Sequence, residues 1–300
     1  MTGRNSAGRG PQGPLIALCY VRLAVREPLS AAAFATDILG LQPVPDKQAL
    51  LFRSDDRYHS LSLVPAPTVA SSIGIEISDE VALERIEHAL QKDGFAVRRS
   101  SRDECKQRFV RDTLIAQDAS GNEIDLVLRP AQSGRRYFPS RDAGITGLQG
   151  VGLRSSQLRD DQRFWTSILG ARISDWAGDI TYLRIDQKHH RIALYPSDRP
   201  GILYVSYGVE SLDAIMQSHY FVQDRQIRIL HGPGREPASG QIFLRFEGPE
   251  GLVFSYSHGL NDVEPDHRPR QFSTHPDSLC EWGSQCQGIP ELQPAATDQR

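Results

Sequence analysis

Phe34-Ala-Thr-Asp-Ile-Leu-Gly40 returns as Phe164-Trp-Thr-Ser-Ile-Leu-Gly170, 130 positions further along the chain. Asp56-Arg-Tyr-His59 followed by Ser60-Leu-Ser-Leu-Val-Pro65 has its counterpart in Lys188-His-His190 followed by Arg191-Ile-Ala-Leu-Tyr-Pro196. Ser120-Gly-Asn-Glu-Ile124 has its counterpart in Glu250-Gly-Leu-Val-Phe254. Three landmarks in one order at nearly one offset mean two copies of a single supersecondary unit.

Working outward from each landmark, the hydrophobic periodicity repeats as well. In the first copy, Leu18 to Val25 alternates as a strand, and Pro28-Leu-Ser30 opens a short helix that Gly40 ends, with Phe34, Ile38 and Leu39 on its apolar face. Strands are expected at 49–52, 60–64 and 73–77, a helix capped by Asp79 running to about Lys92, and further strands at 96–99, 109–116 and 124–128. The second copy is expected to place strands at 148–153, 181–185, 192–195, 203–209, 226–229, 242–246 and 252–256, with helices at 160–169 and 211–222. The expected organisation is a module over 15–130, a linker rich in Arg, Gly, Ser and Pro over 131–145, a second module over 146–260 and a tail over 261–300. Residues 1–14 and the stretch from about Gly288 hold little to bury and are expected to be disordered.

Composition narrows the function classes. The 300 residues are 39% hydrophobic and 24% charged with a net charge of -3 and no basic block, which argues against a nucleic-acid or anionic-membrane partner. Apolar runs such as 73–77 are far shorter than the roughly 20 residues of a membrane helix, and 1–14 lacks a signal-peptide core, so a cytoplasmic protein is expected. Cys19, Cys105, Cys280 and Cys286 show no metal-binding or disulfide spacing and are expected to be reduced thiols.

A duplicated βαβββ unit with Ile-Leu-Gly closing its first helix resembles the vicinal oxygen chelate superfamily, an α+β class that includes glyoxalase, bleomycin-resistance proteins and extradiol dioxygenases. Asp186-Gln-Lys-His-His190, Gly232-Pro-Gly-Arg-Glu-Pro237, Gly248-Pro-Glu-Gly251, His267-Arg-Pro-Arg270 and Cys280-Glu-Trp-Gly283 are similar in order and spacing to two-module catechol-cleaving dioxygenases of the dihydroxybiphenyl type. The resemblance spans about Leu15 to Gly283. It implies Fe(II) or Mn(II) held by two histidines and a carboxylate, with open positions for a catecholate and O2. Those three positions fall here on Gly150, Tyr204 and Ser255, and the matching first-module positions on Tyr20, Ser72 and Asp125. No metal and no other cofactor is therefore expected.

Strand parity places the substituted positions in the cup. Along 203–209, Leu203, Val205, Tyr207 and Val209 form one face, leaving Tyr204, Ser206 and Gly208 on the other; along 252–256, Leu252, Phe254 and Tyr256 oppose Val253 and Ser255. By the same resemblance the pocket histidine and tyrosine are replaced by Glu236 and Arg245, while His190 retains the place of a proton-handling histidine and Tyr182 that of an aromatic wall. His190 is either that proton-transfer group, with an ordinary pKa of about 6.5, or a solvated histidine on a turn. His189 is expected to point away as a structural residue, and His219, His231 and His258 to lie on loops or the surface. Tyr204, Ser206, Ser255, Gly150 and Gly152 are expected to line the pocket, and Arg245 and Glu236 either to bind an anionic substituent and a hydroxyl or to pair with each other.

The expected function is extradiol-dioxygenase-like action on a phenolic, catecholic or quinonoid compound, as a metal-independent isomerase, cyclase or lyase. His190 would move the proton while Tyr204 and Arg245 hold an oxyanion. One alternative is a metal-free protein that sequesters an aromatic ligand, as bleomycin-resistance proteins do. Another is ring cleavage with a non-standard metal site. A homo-oligomer is expected by analogy alone.

Overall fold

The computed structural model describes residues 13–46 and 49–293; the expectations for residues 1–12 and 294–300 lie outside the described residues. Its strands form two mixed sheets, one of eight strands within 15–130 and one of nine within 145–272, with few helices, giving the α+β architecture.

The centre of each sheet is built alike. Leu15–Val25 runs antiparallel to Ser72–Ile77, flanked in parallel by Leu61–Pro65 on one side and Glu123–Pro130 on the other. In the second sheet Ile145–Ser155 and Gly201–Val209 take the central places, flanked by Ile192–Pro196 and Val253–His258. Parallel neighbours need a long crossover, and in each half the helix preceding or following the strand supplies it. Asp79 caps Glu80–Lys92 by accepting from the Ala82 amide, and Ser211 caps Leu212–Asp224 in the same way through Ala214.

Several elements differ from the periodicity reading. The helices before Gly40 and Gly170 are each a short α-helix passing into a π-turn, Pro28–Ala33 into Phe34–Ile38 and Leu158–Arg163 into Phe164–Ile168. A helix over Arg102–Arg108, opened by a capping box between Ser101 and Glu104, was not expected. The strand expected at 226–229 lies at Ile229–Arg235, and a strand at Arg172–Ala177 was missed. Residues 288–293, expected to have little to bury, are anchored at two points: Leu292 is fully enclosed and Glu291 pairs with Arg154 at 2.7 Å.

One apolar cluster runs continuously through both modules, joining Leu23, Ile75 and Leu126 of the first to Val151, Tyr207 and Phe254 of the second. Around it, Phe34 packs on Phe254 at 5.5 Å between ring centroids, and the Tyr256 hydroxyl donates to the carbonyls of Ile38 and Leu39. Asn122 bridges the modules, donating to the Arg154 carbonyl at 2.9 Å and accepting from the Gly201 amide at 2.6 Å. No helix among the described residues is long and apolar enough to cross a membrane.

Candidate active site

The concave face of the second sheet carries a separate cluster of Tyr182, Ala193, Tyr195, Leu203, Tyr204, Leu230 and Val253. Val205, Tyr207 and Val209 face the main core, as alternation requires, and Tyr204 and Ser206 face the cup. Leu203 departs from the expected parity and joins the cup, because the pairing of Gly201–Val209 with Ile145–Ser155 shifts register between Ile202 and Tyr204.

Six of the expected residues meet around one small space: Gly150, His190, Tyr204, Ser206, Arg245 and Ser255 line a cavity of about 10 Å³ together with Gln149 and Gln241. That volume holds about one water molecule. Tyr204 is what fills it. Its strand partner is Gly152, and a Cβ at Gly152 would stand 2.4 Å from the Tyr204 ring, so the phenol occupies the room a side chain would need. The ring packs edge-on against Tyr195 at 5.8 Å and carries the Arg245 guanidinium 4.9 Å from its centroid. Gly152→Ala is expected to destabilise the protein by about 1–3 kcal/mol through this overlap. Urea unfolding checks it, and Tyr204→Ser in the same chain should recover most of the loss, since the two sites are coupled.

Glu236 and Tyr182 sit behind this cavity. The Glu236 carboxylate accepts from the Tyr182 hydroxyl at 2.9 Å, Ser239 Oγ at 2.5 Å and Gln241 Nε2 at 3.1 Å, with Arg245 Nη2 at 3.9 Å. Glu236 and Arg245 therefore stand within ion-pair reach of each other, beside the cavity that Arg245 lines. Arg245 also approaches His231 Nδ1 at 3.3 Å, and His231, expected on the surface, is buried, with burial and the Arg245 charge lowering its pKa to about 4. Burial raises the pKa of Tyr204, so its phenol stays protonated and able to donate; its hydroxyl makes no well-formed hydrogen bond among the described residues.

His190 is buried, and burial, then His189 and the arginines 245 and 191, hold its pKa well below the ordinary value expected for it. His189 does not point away. Its Nδ1 lies 3.1 Å from His190 Nδ1, and its Nε2 lies 3.0 Å from the fully buried Asp175 carboxylate. Asp175 is held ionised against its burial by hydrogen bonds from His189 and Arg270. The network assigns the protons: His189 gives its Nε2 hydrogen to Asp175, accepts the Nδ1 hydrogen of His190, and leaves His190 Nε2 as a free lone pair. This relay was only half legible, because Asp175 lies on the missed strand and carries no motif.

The tail closes the cup. Cys286 and Leu292 belong to its apolar cluster, and Phe272, Leu279 and Ile289 pack against it. The Gln287 amide donates to the Leu230 carbonyl at 2.7 Å, and a Cβ at Gly234 would stand 2.6 Å from Cys280 Sγ.

A divalent ion does not fit the place the resemblance gives it. Gly150 offers no donor and Ser255 only a hydroxyl that already donates to the Tyr256 carbonyl at 3.3 Å; a Cβ at Gly150 would stand 3.0 Å from the Arg191 carbonyl; and the Arg245 guanidinium brings a fixed positive charge. The nearest composition to a ligand set, Asp175 with His189 and His267, is spent on internal hydrogen bonds, and Arg270 Nη2 lies 2.6 Å from Asp175. No group of three such residues poised for a metal occurs among the described residues. In the first module the matching space is tied up too: Asp125 accepts from Tyr20 at 3.0 Å, Ser72 at 2.9 Å and Arg108 at 2.9 Å, and the Tyr20 ring covers Gly74.

The halotolerant catechol dioxygenase structure superimposes with a TM-score of 0.83 at 18% identity, covering 94% of this chain and 97% of that one. The Mn(II)-bound glyoxalase from Novosphingobium aromaticivorans gives 0.83 at 24% identity over 94% and 95%. The chain has the two-module fold of the extradiol dioxygenases, and its homologues and structural neighbours are enzymes of that vicinal oxygen chelate kind. Among curated relatives, the biphenyl-2,3-diol 1,2-dioxygenase of Pseudomonas sp. (strain KKS102) is 29% identical over 225 residues, 66% of this chain and 77% of that protein. The 1,2-dihydroxynaphthalene dioxygenase of Sphingobium xenophagum is 21% identical over 90% of this chain and 96% of its own. No family model matches the sequence.

Proposed function

We propose that this protein acts on a phenolic, catecholic or quinonoid compound by metal-independent proton transfer in the second-module cup. Kinship with dioxygenases of catecholic compounds supports the substrate class. The buried relay of His190, His189 and Asp175 carries the reaction class, because a protein that only sequesters a ligand has no use for a base oriented by a second imidazole and a carboxylate.

His190 Nε2 takes a proton from the substrate. The imidazolium so formed keeps its Nδ1 hydrogen bond to His189, which Asp175 orients, while the Tyr204 hydroxyl donates to the oxyanion and Arg245 supplies the positive charge beside it. A ring enters only when Tyr204 leaves its seat over Gly152 or the tail withdraws, since the closed cavity measures about 10 Å³. Isomerisation, cyclisation and elimination all fit this set of groups.

The test pairs metal analysis with turnover. Protein supplied with iron and manganese during growth, then incubated with a panel of catechols, phenols and quinones, is expected to convert one of them without consuming O2, and equally with a chelator present. Stoichiometric iron or manganese together with ring-cleavage products would replace this reading with the dioxygenase. Tight binding without product over long incubation would replace it with sequestration.

A further inference from the structure

A wider space lies outside the cup, where the start of the first module meets the second. It is a cavity of about 570 Å³ bordered by Leu15, Ile16, Arg172, Arg184, Ile185 and Val263. A second cavity of about 490 Å³ shares Arg172 and Arg184, so the two arginines stand between them. Arg184 is 5% exposed, yet among the described residues only its Nη1 is bonded, to the Ile173 carbonyl and Ser174 Oγ, both at 3.1 Å. Arg172, its partner across the strand pair, donates among the described residues only to the Pro265 carbonyl. Neither has a carboxylate within 4 Å among the described residues, whereas Lys188 and Arg191, which border the same cavity, are paired with Asp262 and Asp186 at 2.8 Å each. The Asp266 carboxylate borders the smaller cavity.

The duplicated module supplies an internal control. Arg53 ends its strand as Arg184 ends its own, and its strand partner is Gln42 where Arg184 has Arg172. Every nitrogen of Arg53 is satisfied: Nε by the Arg57 carbonyl at 3.0 Å, Nη1 by Gln42 Oε1 at 3.3 Å, and Nη2 by the carbonyls of Asp55 at 3.0 Å and Arg135 at 2.9 Å. In the second module the acceptor supplied by Gln42 is replaced by another cation. Two adjacent guanidinium groups, one of them buried, are stable only with an anion between them or water in its place.

We propose that Arg172 and Arg184 form a binding site for a terminal oxyanion, carboxylate or phosphate, of a small amphipathic molecule. Its apolar part lies against Leu15, Ile16, Ile185 and Val263, so both modules contribute. The site is separate from the cup and stands or falls independently of the proposed reaction.

The test measures binding of sodium benzoate and of inorganic phosphate, by calorimetry and thermal melting, at ionic strength held constant with chloride. Wild type is expected to bind at least one of them. Arg172→Gln, which installs the first module's arrangement, is expected to weaken that binding by about tenfold or more and to raise the melting temperature without anion. Arg184→Met is expected to abolish binding; should it fail to fold, the exposed Arg172 position still decides. Benzoate alone marks an organic carboxylate as the ligand class, and phosphate alone a phosphorylated one. Binding of neither to wild type, or binding unchanged by Arg172→Gln, overturns the proposal.

Discussion

His190→Ala is expected to lower the turnover of the substrate found in the panel by about 10²–10⁴-fold, the usual worth of a positioned general base. Wild-type activity should hold its plateau to well below pH 6.5. The sign follows from burial: His190 loses its charged form in the closed cup, so the neutral, proton-accepting imidazole persists into acid, and the acid limb falls at the lowered pKa. His189→Gln should keep the fold and part of the activity while moving that limb, since it cuts His190 off from Asp175. If His190→Ala converts substrate as fast as wild type, the proton-transfer mechanism fails.

Asp125→Ala is expected to cost about 3–5 kcal/mol of stability, as breaking a buried ion pair from one side does. Asp125 is fully enclosed, accepts three hydrogen bonds, and lies 4.0 Å from a second guanidinium, Arg22. Its removal leaves two buried arginines without their shared counter-charge. His59, stacked on Tyr20 at 4.9 Å and pushed down to about 3 by burial and then the Arg22 charge, cannot compensate, because an imidazole supplies no negative charge and here stays neutral. Urea unfolding reads the loss directly; a change below about 1 kcal/mol would mean that solvent reaches the cluster and screens it.

The repeat at about 130 positions made the two-module frame legible, and strand alternation the inward face of Tyr204, Ser206 and Ser255, because both are patterns along the sequence itself. What escaped depends on pairing across strands. The seat of the Tyr204 ring is set by Gly152, the reach of His189 by Asp175, and the burial of His231 by Arg245, which it faces across a hairpin. The capping box at Ser101 and Glu104 was readable and went unread among charged residues, Arg-Asp-Glu, that look like plain surface. The tail deceived by composition: Gly288-Ile-Pro-Glu-Leu292 is poor in apolar residues, but Ile289 and Leu292 are the two that matter.

The second cup takes its last wall from residues 279–292, which leave the ribosome after every other part of that cup. A growing chain can therefore complete the first module and lay down the second sheet while Tyr182, Tyr195 and Tyr204 still face water. For that interval the nascent protein exposes a greasy aromatic hollow, which the tail covers once it has emerged.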